Sequence, residues 1–142
     1  MRMDEKALSR VLDLLPQIEE MVTKSSRIAI KVKGRILFID PTQVVTIEAQ
    51  GNYVLLKRVA GSDLLRESIS TVAKKLQPYG FVRIHRSVLI NAAFVEEIEP
   101  CTTGEYVLRI KGGKEFTVSR THKKNLHSIT PLWFGTDHFR AE

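Results

Sequence analysis

Residues 81 to 91 read Phe81-Val82-Arg83-Ile84-His85-Arg86-Ser87-Val88-Leu89-Ile90-Asn91, two apolar runs broken by a polar knot. Arg83 alternates with Val82 and Ile84, as on a strand, where it reaches a phosphate or only solvent. Arg86 stands beside Ser87 at the break, which places its guanidinium to project outward. His85 is most simply a structural hydrogen-bonding histidine. Asn91 reads as a turn or cap residue after the second run.

Working outward, the chain keeps a period of two. Ile28, Ile30 and Val32 alternate with polar neighbours, and Lys33-Gly34 offers the positive-φ turn of a tight hairpin before a strand from Arg35 to Ile39 that stops at Asp40-Pro41. Strands are expected at Val44 to Glu48 and Tyr53 to Val59 around the turn Gln50-Gly51-Asn52. Ala60-Gly61-Ser62-Asp63 would close another hairpin with a short return at Leu64 to Arg66. Ile69, Val72, Ala73 and Leu76 are spaced like a helix that ends before Pro78-Tyr79-Gly80. Downstream, Val95 to Glu99, Tyr106 to Ile110 and Glu115 to Val118 read as strands, the last two joined at Lys111-Gly112-Gly113-Lys114. A final short helix is expected from Thr121 or His122 to about Ser128, capped by Ser119 or Thr121. At the other end, Leu8, Val11, Leu12, Leu15, Ile18, Met21 and Val22 mark one helical face interrupted by Pro16, which predicts a kink or two short helices. The pattern is mainly β: small antiparallel sheets with short helices, plus an N-terminal helix.

At 142 residues the chain has room for one domain with short appendages, and 43% hydrophobic with 27% charged residues is a globular composition. No apolar run approaches the roughly 18 residues of a membrane span, and residues 1 to 10 do not read as a secretory signal. A cytoplasmic location is the expectation. The single Cys101 supplies neither an internal disulfide nor a multi-thiolate metal site. No enzyme constellation is visible. His122 and His127 are badly spaced for one helical face, Ser119 lacks the glycine frame of a nucleophile elbow, and Glu115 follows Lys114 where a phosphate loop needs Ser or Thr. Neither a catalytic group nor a cofactor is expected.

The net charge of +6 fits a polyanionic partner. Basic and amide side chains gather at strand ends: Gln50 and Asn52; Arg83, His85 and Arg86; Arg120, His122, Lys123 and Lys124. That set suits duplex DNA, because Arg pairs two-pronged with guanine and Asn or Gln with adenine, while Lys grips phosphates. The residues alone leave the choice open between this and ordinary solvated turns.

The stretch from Phe81 to Asn91 closely resembles the hallmark F-x-R-x-H-R-S-x-L-[VI]-N of the LytTR DNA-binding family, known from bacterial response regulators. Ile47-Glu48-Ala49-Gln50-Gly51-Asn52-Tyr53-Val54 is similar to the family's I-E-A-x-x-N-Y-V segment, and Phe116-Thr117-Val118-Ser119-Arg120 to its x-[IV]-P-V-S-R segment, with Thr117 where proline is frequent. The resemblance covers about residues 27 to 128. It leaves 1–26 as a helical extension or linker and 129–142 as a tail. It implies small antiparallel sheets whose connecting loops enter major grooves, with the Gln50–Asn52 turn, Arg86 and Arg120 approaching DNA; beside these, Lys123 and Lys124, by their nearness to Arg120, and Arg83, on its strand, are read as phosphate contacts. It further implies promoter direct repeats with bent DNA between them, and a possible homodimer on tandem sites. The family's usual receiver domain has no counterpart before residue 27, so a stand-alone regulator and an excised effector domain both fit. The alternative is a regulatory protein-interaction module, in which the N-terminal helix or the tail of Trp133, Phe134 and Phe139 binds a partner and nucleic-acid binding is secondary. The simpler reading of that tail is packing back on the domain.

Overall fold

The computed structural model describes residues 6–10, 12–13 and 27–135. Residues 6–10 and 12–13 are helical and overlap the start of the expected N-terminal helix; Pro16 and the rest of that stretch lie outside the described residues. From residue 28 the chain runs β1 (Ile28–Val32), β2 (Arg35–Ile39), β3 (Val44–Gln50), β4 (Tyr53–Arg58), β5 (Gly61–Leu65), α1 (Ile69–Leu76), β6 (Phe81–His85), β7 (Val88–Asn91), β8 (Val95–Pro100), β9 (Tyr106–Ile110) and β10 (Glu115–Val118), closing with a 3-10 segment, Arg120–Ile129. The strands form a two-stranded hairpin β1-β2, a five-stranded sheet ordered β5-β4-β3-β7-β6 and a three-stranded sheet ordered β8-β9-β10. Every pairing is antiparallel.

The five-stranded sheet is covered on both faces, which explains the apolar density of β6 and β7. Alternation sends Phe81 and Leu89 into a core shared with Ile30, Ile39, Val72 and Leu76, beneath the β1-β2 hairpin and α1. Val82, Ile84 and Ile90 go to a second core, where they meet Leu108, Ile110, Val118 and Leu126 of the three-stranded sheet and the 3-10 segment. Each aliphatic side chain so buried contributes about 1.5 to 3 kcal/mol. Helix α1 is set by local signals: Ser68 Oγ accepts from Thr71 N–H as the N-cap, and Val72 and Leu76 form the buried stripe. Asn91, 4% exposed, joins two distant turns. Its Nδ2 donates to Val44 O at 2.9 Å and its Oδ1 accepts from Ala93 N–H at 3.0 Å.

Two boundaries differ from the sequence expectation. The β4-β5 hairpin turns at Val59-Ala60, not at residues 60–63, because Arg58 pairs with Gly61 and the strand has already resumed there. The closing short helix, wound as 3-10, starts at Arg120 and not at 121 or 122; Ser119 holds its N-cap position as expected, but its side chain makes no cap bond and Oγ instead lies 2.7 Å from His122 Nδ1. Lys33-Gly34 behaves as expected, with φ of 51° and 77°, the doubly left-handed turn that fits the twist of a hairpin.

Candidate nucleic-acid interface

Main-chain hydrogen bonds gather the polar turns at one end of the sheets. The β3-β4 turn is two residues long, Gly51-Asn52, between the paired Gln50 and Tyr53. Gly51 takes φ 60° at the first loop position, where a type II′ turn requires glycine. Ala49 N–H donates to Ser87 O at 2.8 Å, so this turn is fastened to the β6-β7 turn that carries Arg86. Ser119 N–H donates to Ile84 O at 3.0 Å, bringing the start of the 3-10 segment to the end of β6. The β8-β9 turn belongs to the same end, because Pro100 pairs with Tyr106 and Tyr106 with Val118.

Of the residues singled out in the sequence, Gln50, Asn52 and Arg86 are exposed on this end, and Arg86 is in no ion pair among the described residues. Arg83 is placed differently. It lies half-buried on the Phe81 face, where Nη2 donates to Arg86 O at 2.5 Å and Nη1 reaches Ser70 Oγ of α1 at 3.4 Å. Its own carbonyl accepts from Asn125 Nδ2 at 2.9 Å. Arg83 thus clamps the β6-β7 turn to its neighbours. His85 Nδ1 accepts from Ser87 N–H at 3.2 Å, a bond inside the β6-β7 turn that makes His85 a turn-shaping residue, as read from the sequence.

The 3-10 segment is anchored by Leu126, which is fully buried, and presents an exposed Arg120 and Lys124 and a half-buried Lys123. The Arg120 guanidinium donates to Thr103 O. It also lies along the β8-β9 turn, where a Cβ on Gly104 would come within 3.3 Å of Arg120 Nε. Sequence reading passed over this turn. Thr102-Thr103-Gly104 is a turn signal, but nothing in the sequence ties residue 103 to residue 120.

Electrostatics identify this end as positive. Burial and then the neighbouring charges of Arg83, His85 and Lys124 hold the His122 imidazole below its ordinary 6.5, so four basic side chains converge there from β6 and the 3-10 segment. One acid stands at this end, Glu105 of the β8-β9 turn, which accepts from Thr103 Oγ1 at 3.3 Å; farther along the sheet Arg109, on β9, donates to Glu97 and, at 3.2 Å, to Glu115. Among the described residues no group of His, Cys, Asp and Glu could hold a metal ion, and no helix is long and apolar enough to cross a membrane. Trp133 is half-buried with Nε1 donating to Thr130 O at 2.8 Å, whereas Phe134 is 87% exposed; only part of the aromatic tail packs back. Phe139 lies outside the described residues.

A β-framed domain that presents basic and amide-bearing turns at one end offers a surface suited to a polyanion. The model of the LytTr DNA-binding domain matches residues 34–130, and the chain belongs to that family. It is a family of DNA-binding domains and not a class of enzymes. The chain is similar to the sensory transduction protein LytT of Bacillus subtilis, 28% identical over 72% of this chain and 43% of that protein. It is also similar to the positive alginate biosynthesis regulatory protein of Pseudomonas aeruginosa, 31% identical over 68% of this chain and 40% of that one. The chain therefore spans less than half the length of these two relatives. A LytTr DNA-binding domain of Bacillus cereus has the same fold, with a TM-score of 0.63 at 19% identity, covering 73% of this chain and 95% of that domain.

Proposed function

We propose that residues 27–128 form a sequence-specific DNA-binding domain of a transcriptional regulator, reading promoter direct repeats through turns placed in the major groove. Asn52 and Gln50 read from the β3-β4 turn, Arg86 from the β6-β7 turn and Arg120 from the mouth of the 3-10 segment, while Lys123 and Lys124 hold phosphates. Arg83 serves by fixing the turn that presents Arg86. The observation that carries the reading is the pair of main-chain bonds, Ala49 N–H to Ser87 O and Ser119 N–H to Ile84 O, which bring these elements together. Tandem sites would seat two copies side by side with the intervening DNA bent. Relatives named as sensory transduction proteins support a place downstream of a signal.

The test is a duplex motif selected from random sequence, followed by titration of Arg86→Ala and Arg120→Ala against the selected and a scrambled duplex. Each variant should lose about 1 to 3 kcal/mol on the selected duplex, roughly 5- to 150-fold, with little change on the scrambled one. Selection of no motif, or unchanged affinity of both variants, would refute the assignment.

A further inference from the structure

Between β1, β5 and α1 the surface opens into a cavity of about 400 Å³ that the DNA-binding reading does not use. Its floor is made of core side chains: Ile30, Leu56, Val72 and Leu76 all line it, although each is less than 9% exposed. Its rim is basic. Lys31 on β1, Arg66 after β5 and Lys75 on α1 are exposed at its edge, with the Tyr79 ring beside them and Glu67 as the one acid among the lining residues. Among the described residues none of the three cations is in an ion pair. The rim cations thus stand over the apolar floor without a carboxylate partner, where the same fold pairs Arg58 with Asp63 at 2.9 Å and Arg109 with two glutamates.

We infer that this cavity binds a small amphiphilic anion, one apolar chain or ring system bearing a carboxylate or sulfonate, with the apolar part on Leu56, Val72 and Leu76 and the charged group between Arg66 and Lys75. The size falls in the range of small-molecule sites, which are largely apolar with a few placed polar groups. The charge balance selects the head group: three cations against one carboxylate favour an anion over a neutral or cationic amphiphile. Because the rim joins β1, the end of β5 and α1, an occupant would tie the β1-β2 hairpin to the helix whose Ser70 contacts Arg83.

The experiment titrates the full chain with sodium decanoate below its micelle concentration, following backbone amide chemical shifts, with decanol as the uncharged comparison. Saturable shifts at residues 28–31, 65–67 and 72–79, with decanol at least about fivefold weaker, are expected. Arg66→Glu combined with Lys75→Glu should weaken decanoate at least about tenfold while leaving the melting temperature unchanged. Equal affinity for decanol and decanoate would overturn the inference. So would shifts confined to residues 50–52, 86 and 119–124, which would mark nonspecific capture by the basic turns. A response confined to residues 6–22 would overturn it too, because it would show the chain's own N-terminal segment to be the ligand's site.

Discussion

Replacing Asn91 tests how the frame under the basic turns is held. The side chain is 4% exposed and spans two turns: Nδ2 donates to Val44 O at 2.9 Å, and Oδ1 accepts from Ala93 N–H at 3.0 Å. A further approach of Nδ2 to Pro41 O, at 3.4 Å, is too long to count for much. Asn91→Ala removes two good bonds and leaves main-chain groups without their partner, a loss of about 2 kcal/mol at roughly 1 kcal/mol each. At about 4 °C per kcal/mol for a domain of this size, the melting temperature should fall by about 8 °C. Asn91→Asp keeps the acceptor for Ala93 but sets a carboxylate oxygen against a carbonyl, so at pH 7 it should be less stable than the alanine variant. Burial raises the folded-state pKa of the introduced carboxyl above its unfolded value near 3.9. Its stability deficit relative to alanine should then be absent below that unfolded value and grow as pH rises through the folded one. Urea denaturation of the three proteins between pH 3 and 8 measures all of this. A loss under about 0.5 kcal/mol for the alanine variant, or a gap between the two variants that does not widen with pH, would refute the bridging role.

Gly104→Ala should lower stability by about 1 to 2 kcal/mol in urea titrations, because φ is +87° and the new methyl meets Arg120 Nε at 3.3 Å. The same variant should weaken DNA binding by displacing Arg120, a loss that Thr102→Ala should not reproduce in parallel titrations. Lys124→Ala should weaken all duplexes alike and reduce the slope of log affinity against log salt by about 0.9, measured over 50 to 200 mM salt. His122 has a folded-state pKa depressed below 6.5, by burial first and by Arg83, His85 and Lys124 next. Its contribution to stability is therefore complete above about pH 6.5 and is lost as pH falls below that value toward the lower folded one. Denaturation midpoints of the wild type and His122→Gln between pH 8 and 5 should separate on that limb, with the variant the flatter.

Most of the scaffold was legible in local chemistry. The period-two runs gave β1 to β4 and β8 to β10, the Lys33-Gly34 turn came from its dipeptide, and the spacing of Ile69, Val72, Ala73 and Leu76 gave α1 at its observed limits. The misplaced β4-β5 turn shows the limit of composition: glycine and serine at 61 and 62 read as loop, yet ladder pairing with Arg58 and Lys57 recruits them into a strand. The closing short helix was legible, but its 3-10 winding was not. Its spacing around Leu126 marked a helix, while the contacts of Ser119 with His122 and Ile84 at its start lie beyond local sequence. At the site, exposure of Asn52 and Arg86 followed from turn position alone. The clamp by Arg83 and the seat of Arg120 on Thr103 did not, since they depend on contacts to Ser70 and across 17 residues of sequence.

The bonds that assemble the basic end, from Ala49 to Ser87 and from Ser119 to Ile84, run from backbone to backbone and involve none of the side chains at 50, 52, 86 or 120. Positions 50, 52 and 86 can be exchanged without breaking these bonds, whereas Arg120 also holds the β8-β9 turn through Thr103 O. On the proposed reading, retargeting the domain to a new operator means swapping reading heads on a fixed chassis, and variation at 50, 52 and 86 leaves the bonds of that chassis in place.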